Sequence, residues 1–256
     1  MGVPKTCMLW AVVAGLLTAC AWPPSALPAQ EPEVLTLADQ WFKLIDLKSG
    51  RRIGARHLVV QQKGQALTVR QQLAMAQEDK SVGYTVTVRY AAAALTPVSA
   101  DVLSNVEGKP YLKGQVKFEG RRLQLTSTIT GEDGRLIEAE RTEEKALPEE
   151  GLVLLSQGLE VLAPALLPMP GRLEGIVFAE CPAELDVLIS IKSGYRLERR
   201  ELADGTSKFR LFEGTSDEPL WQCLLDEEGA TKETTFYETR SVPASREEAT
   251  RPVGGD

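Results

Sequence analysis

One histidine, His57, stands in 256 residues. Of four cysteines, Cys7 and Cys20 lie in an apolar N-terminal stretch, which leaves Cys181 and Cys223 for the body of the chain. This scarcity argues against metal chemistry, because neither body cysteine has a second cysteine or a histidine at ligand spacing. No Asp-rich loop has calcium spacing. A serine hydrolase needs a nucleophile, a base and an orienter, and the Gly-x-Ser-x-Gly elbow is missing. Ser156 in "LLSQGL" reads instead as a polar position on the central helix. No Gly-rich loop ends in a lysine, so nothing cradles a phosphate. Among 36 acids no pair is singled out for glycoside hydrolysis, and Asp226, Glu227 and Glu228 read as a solvated turn. His57 sits in a strand-like run and reads as structural. The expectation is a protein without catalytic residues, metal or cofactor.

Clustered positive charge is also lacking. Lysine and arginine total 29 against 36 acids, for a net charge of -7, and the two signs are interspersed. Nucleic acid is therefore not an expected partner, since phosphates need grouped Lys and Arg. Apolar content of 43% is ordinary for a packed globular chain.

What is present begins with "MLWAVVAGLLTACAWPP", residues 8 to 24. Its uncharged core from Met8 to Ala21 is shorter than the roughly 20 residues a membrane span needs. Lys5 precedes it and Pro23, Pro24 and Pro28 follow, which suits a secretory leader over residues 1–21 and a Pro-rich tether over 22–37. Two processing routes stay open. Ala19-Cys20-Ala21 fits ordinary cleavage after Ala21, giving a soluble exported protein. Leu17-Thr18-Ala19-Cys20 resembles the bacterial lipobox, in which the cysteine is acylated and anchors the protein to a membrane. Export to the periplasm or cell envelope would also suit a disulfide between Cys181 and Cys223, with two buried free thiols as the alternative.

The body, residues 38–242, is patterned for strands. In "VGYTVTVRY", Val82, Tyr84, Val86 and Val88 alternate with Gly83, Thr85, Thr87 and Arg89, as in a half-buried antiparallel strand. Ser49-Gly50 and Glu119-Gly120 mark tight hairpins. "FKLIDLKSGRRIG" and "DVLISIKSGYRLE" share a strand followed by Lys-Ser-Gly, consistent with two ordinary hairpins or an old duplication. One segment differs. From 147 to 171, Leu152, Leu155, Leu159 and Leu162 recur at helical spacing after Pro148, Glu149 and Glu150, predicting a buried helix near 149–163. Residues 243–256 lack apolar periodicity and read as a disordered tail.

The expected architecture is thus mainly β (α+β), a curved antiparallel sheet or half-barrel enclosing one central apolar helix. A cavity between sheet and helix would suit a lipid or other apolar small molecule. Its candidate lining is Trp41, Phe118, Leu152, Leu155, Leu159, Leu162, Phe178 and Trp221. The same residues could equally form a filled core, in which case the domain would be a structural or protein-interaction module, its protein partner unspecified. An exported chain of many antiparallel strands with one Pro-bounded apolar helix resembles the half-barrel of periplasmic lipoprotein carriers. The resemblance lies in element order over roughly 38 to 240 and implies acyl-chain carriage in the hollow. Separately, "WFKLIDLKSGRRIGARH" (41 to 57), with Trp41, Gly50, Arg52, Ile53, Gly54 and His57, is similar to an opening found in β domains of some exported bacterial proteins, including ones that precede transglutaminase-like domains. That likeness implies a noncatalytic module, since no matching Cys-His-Asp set is present.

Overall fold

The computed structural model describes residues 33–77, 80–130, 135–167, 171–181 and 188–253. The leader, most of the proposed tether and residues 131–134 lie outside the described residues. Eight strands follow one another as an antiparallel meander. They are β1 (Val34–Asp46), β2 (Arg52–Lys63), β3 (Ala66–Gln77), β4 (Lys80–Ala91), β5 (Thr96–Val106), β6 (Lys109–Glu119), β7 (Arg122–Thr130) and β8 (Leu136–Ala146). A short β9 (Leu152–Leu155) and a helix α1 (Leu159–Leu166) come next. Six strands complete the sheet: β10 (Gly171–Glu180), β11 (Ser190–Glu201), β12 (Ser207–Glu213), β13 (Pro219–Leu225), β14 (Thr231–Phe236) and β15 (Thr239–Ala244). A five-residue helix α2 (Arg246–Thr250) ends the described chain. All fifteen strands form one sheet, in the order β8 to β1, then β15 down to β9. Every pairing is antiparallel except β9 with β10.

Local patterning accounts for the meander. Burial alternates along β4, with Val82, Tyr84, Val86 and Val88 inside. A one-residue slip would turn this whole set outward, so burial fixes the register. The β1–β2 hairpin is set by Asp46, whose carboxylate accepts from the Ser49 backbone N–H at 2.6 Å and from its hydroxyl at 2.9 Å. Gly50 then takes φ +67. The second Lys-Ser-Gly behaves differently. Residues 192–194 lie inside β11, where Gly194 at φ +83 opens a bulge. The two segments therefore occupy different structural places, one a hairpin turn and one a strand irregularity.

The sheet curls like a scroll, with its β9 edge inside. β9 lies against β5, and β10 is buried on both faces. Val177 and Ala179 join a core formed by the inner face of β1–β7, while Ile176 and Phe178 join a second core with β11–β13. β9 and α1 sit on the seam, since Leu155 and Leu162 pack in the first core and Leu154, Leu159 and Ala163 in the second. The mainly β, curved-sheet expectation holds. Its enclosed element is a β9–α1–β10 unit in place of a lone helix.

This corrects the helix near 149–163. Leu152–Leu155 is a strand, and α1 begins only at Leu159 and runs past Pro164. A strand covered on both faces is apolar at consecutive positions, and such a short run cannot be told from a buried helix by periodicity. Gly151 at φ +104 and Gly158 at φ +77 interrupt any continuous helix between them. The disordered tail is corrected too. β15 reaches Ala244, and the Ser245 hydroxyl accepts from Glu248 N while the Glu248 carboxylate accepts from Ser245 N, a reciprocal cap that starts α2. Ala249 is fully buried, Arg52 donates to its carbonyl, and Glu248 pairs with Lys43 at 3.5 Å. β1 likewise begins at Val34, inside the proposed 22–37 tether.

Candidate functional site

The predicted lining does not converge on one cavity. Leu155 and Leu162 pack in the first core with Phe118 at its margin, whereas Leu159, Phe178 and Trp221 pack in the second with Leu152 at its margin. Trp41 faces away from both. Its ring stacks on His57 at 4.0 Å between centroids and 7° between planes, and Arg246 of α2 lies 5.8 Å from it. His57 is held by Asp39 at 2.7 Å and lies 3.4 Å from the Gln72 amide oxygen. Odd and even positions of β2 point to opposite faces, so His57 looks out while Arg56, Leu58 and Val60 look in. Gly54 is tied to packing, since a Cβ there would come within 2.1 Å of the Ala74 carbonyl oxygen.

The proposed disulfide is absent. Cys181 and Cys223 are free and buried in different cores, Cys181 against the β1–β7 face and Cys223 against β12 and β14. The seam between the cores keeps the thiols apart. Burial, with a contribution from Glu180, pushes the Cys181 thiol up to about 12. Burial also raises Cys223, with Glu160 adding to the effect, and it raises Tyr84 and Tyr90. An unfolded thiol ionises near pH ~8.5 and a tyrosine near ~10. Between those values and the raised native ones, the unfolded chain binds fewer protons than the native one, so stability must fall as pH rises. The urea midpoint is expected to be flat from pH 6 to 8 and to drop steadily from pH 9 to 11. An unchanged midpoint at pH 11 would contradict the burial of these groups.

The interior is filled midway along the strands, by Leu58, Val60, Val69, Val86 and Val88 among others. Cavities open toward both ends. One, of about 270 Å³, lies between α1 and the ends of β1–β4. Leu37, Leu67, Leu95, Val161, Leu162 and Leu166 give it an apolar wall, with Ala92 and Ala165 leaving the space. Leu162 is the one predicted lining residue that it uses. The other, of about 240 Å³, lies near the β1–β2 and β14–β15 turns. Trp221 is the predicted residue on its wall, which is mostly apolar, with Leu44, Leu73, Met75 and Phe236, but also carries the buried polar side chains Arg56, Gln71 and Gln157.

Sequence reasoning missed that polar group. Arg56 on β2 and Glu160 in the first turn of α1 form a buried ion pair. The guanidinium lies 4.2 Å over the Phe42 ring and 3.4 Å from the Thr234 hydroxyl. Cross-strand register sets Tyr84, Leu73, Arg56 and Phe42 side by side across β4, β3, β2 and β1. The available signal was parity. Arg56 is in phase with Leu58 and Val60, and Gln71 with Leu67 and Val69, so alternation alone sends both polar side chains inward.

Among the described residues, no group of three or more His, Cys, Asp and Glu side chains could hold a metal ion. No helix among them is long and apolar enough to cross a membrane. No protein-family model and no curated protein matches the chain. Two solved structures are similar in shape. A beta-barrel-like protein of domain of unknown function DUF1849 from Brucella abortus matches with TM-score 0.45 and 10% identity, over 80% of this chain and 95% of that one. A DUF1089 family protein from Pseudomonas aeruginosa matches with TM-score 0.38 and 15% identity, over 84% of this chain and 95% of that one.

Proposed function

We propose that this protein is a noncatalytic binding protein of the cell envelope, holding an apolar ligand in the cavity between α1 and the β1–β4 ends. The carrying observation is that cavity: about 270 Å³ walled by leucine, valine and alanine side chains. It falls just below the usual range of ligand pockets, about 300–1,000 Å³. A medium acyl chain, or the end of a longer one, matches its size and chemistry. The compartment rests on the leader and on Cys20 as a candidate lipid anchor.

Dodecanoic acid is the probe. Saturating amounts should raise the unfolding free energy, by about 2.7 kcal/mol at a hundred times Kd, and native mass spectrometry should show one bound molecule. Ala165→Phe fills the space and should abolish that stabilisation while the variant stays folded. Absence of saturable binding, or full binding by Ala165→Phe, would refute the apolar site. The mass of the mature N-terminus tests the compartment, because an acylated Cys20 adds its chains and cleavage after Ala21 removes it.

A further inference from the structure

The second cavity, near the β1–β2 and β14–β15 turns, is separate from the one beside α1. Arg56 lines it and Gln62 lines the other, six positions apart on β2, or about 20 Å at ~3.3 Å per residue. Leu58 and Val60 fill the interval. A single small ligand cannot occupy both.

Most of its wall is apolar, and much of that surface is aromatic. Leu44, Leu73 and Met75 contribute aliphatic and thioether groups, and Trp221, Phe236 and Tyr237 contribute rings. A bound ring packs well on such a wall, offset or edge-on against other rings and against a methionine sulfur. The unpartnered atoms of Arg56, Gln71 and Gln157 have no accessible surface, so they do not address the space. Glu160 already neutralises Arg56. An apolar cavity of about 150 Å³ is enough to hold benzene. At about 240 Å³, this one has room for a fused pair of rings.

Tyr237, in the β14–β15 turn, is the one exposed residue of this wall and so marks the mouth. It has φ +49, a conformation that bulky side chains rarely adopt. Backbone strain of this kind collects at ligand clamps. The Tyr237 ring lies against Phe236 with 4.6 Å between centroids, and its hydroxyl donates to the Glu180 carboxylate on β10 at 3.3 Å. The rim thus already holds one aromatic donor, ring on ring and hydroxyl on carboxylate. Glu180 also lines the cavity, and a carboxylate accepts hydrogen bonds without donating. A ligand carrying a donor suits it. An anionic ligand is repelled by the same carboxylate, and a cationic one loses its hydration in a mostly apolar space.

We propose that this cavity is a second binding site, for a neutral aromatic molecule of indole size that carries one hydrogen-bond donor. The rings pack among Trp221, Phe236 and Met75, and the donor reaches Glu180. The experiment titrates the full chain by calorimetry with indole, and with indene as its isostere without the donor. Saturable binding of one indole per chain is expected, and indene should bind about tenfold more weakly, the loss of one hydrogen bond to a charged group. Glu180→Met should remove that preference, so that indole and indene bind alike. Met75→Trp fills the space and should abolish indole binding while dodecanoic acid still binds. Thr239→Phe serves if that variant does not fold. Ala165→Phe should bind indole as wild type does, which separates this site from the acyl site. Absence of saturable indole binding would overturn the proposal. So would a preference for indole that survives in Glu180→Met, or indole binding that is lost in Ala165→Phe.

Discussion

Glu160→Leu is expected to lower the unfolding free energy by about 3–5 kcal/mol. Glu160 is 3% exposed and is the carboxylate partner of the buried Arg56 guanidinium. Removing it leaves a cation inside the fold with the Phe42 ring and the Thr234 hydroxyl as its remaining neighbours. Neither can replace a carboxylate. Replacing both members gives the opposite outcome. Arg56→Met with Glu160→Leu removes the uncompensated charge and puts apolar volume in its place, so most of the loss should return. Urea melts of the two single variants and the double variant measure this directly. A Glu160→Leu variant within about 1 kcal/mol of wild type would mean that Arg56 reaches water or another partner once its carboxylate is gone.

Gly158→Ala should cost about 2–5 kcal/mol, from two separable causes. Gly158 caps the start of α1 at φ +77, where a Cβ is disfavoured. A Cβ there would also stand 2.6 Å from Val69 Cγ1. Gly120 provides the comparison. It has φ +61 in the β6–β7 turn with nothing within 4 Å of an added Cβ. Gly120→Ala therefore carries only the left-handed penalty, about 1–2 kcal/mol. In a Val69→Ala background the extra cost at 158 should largely vanish, because the methyl that blocks the new side chain is gone. Thermal or chemical melts of the cycle decide it, and equal costs in both backgrounds would show that no clash occurs.

Both variants lie where the chain passes from β9 into α1, which is also where sequence reading went wrong. Along β4, alternation was enough, because that strand has one covered face and its pattern names which. Along Leu152–Leu155 and Ile176–Ala179 there is no alternation to read, since both faces are covered. A consecutive apolar run records burial without recording which element buries it. The same limit explains the lining prediction. Leu155 and Leu159 are both fully buried, but on opposite sides of a seam that exists only once the sheet has curled. Residues far apart in the chain decide that seam.

Arg56 and Glu160 mark the boundary between the two kinds of information. Parity on β2 already sends Arg56 inward, so a charged residue on an apolar face was visible in the sequence. Its partner was not, because Glu160 lies 104 positions away and meets it only across the folded interior. By itself the sequence determined the strands with one covered face, such as β4, their inward sides, the hairpin at Ser49-Gly50, and the scarcity of His and Cys. These follow from side-chain size, polarity and backbone freedom over a few residues. Tertiary structure decided that the β9 edge lies inside the curl, that Cys181 and Cys223 occupy separate cores, and that one cavity is walled by leucine, valine and alanine while the other also carries buried polar side chains. A cavity is unfilled volume between elements, and its shape depends on how a fifteen-stranded sheet bends.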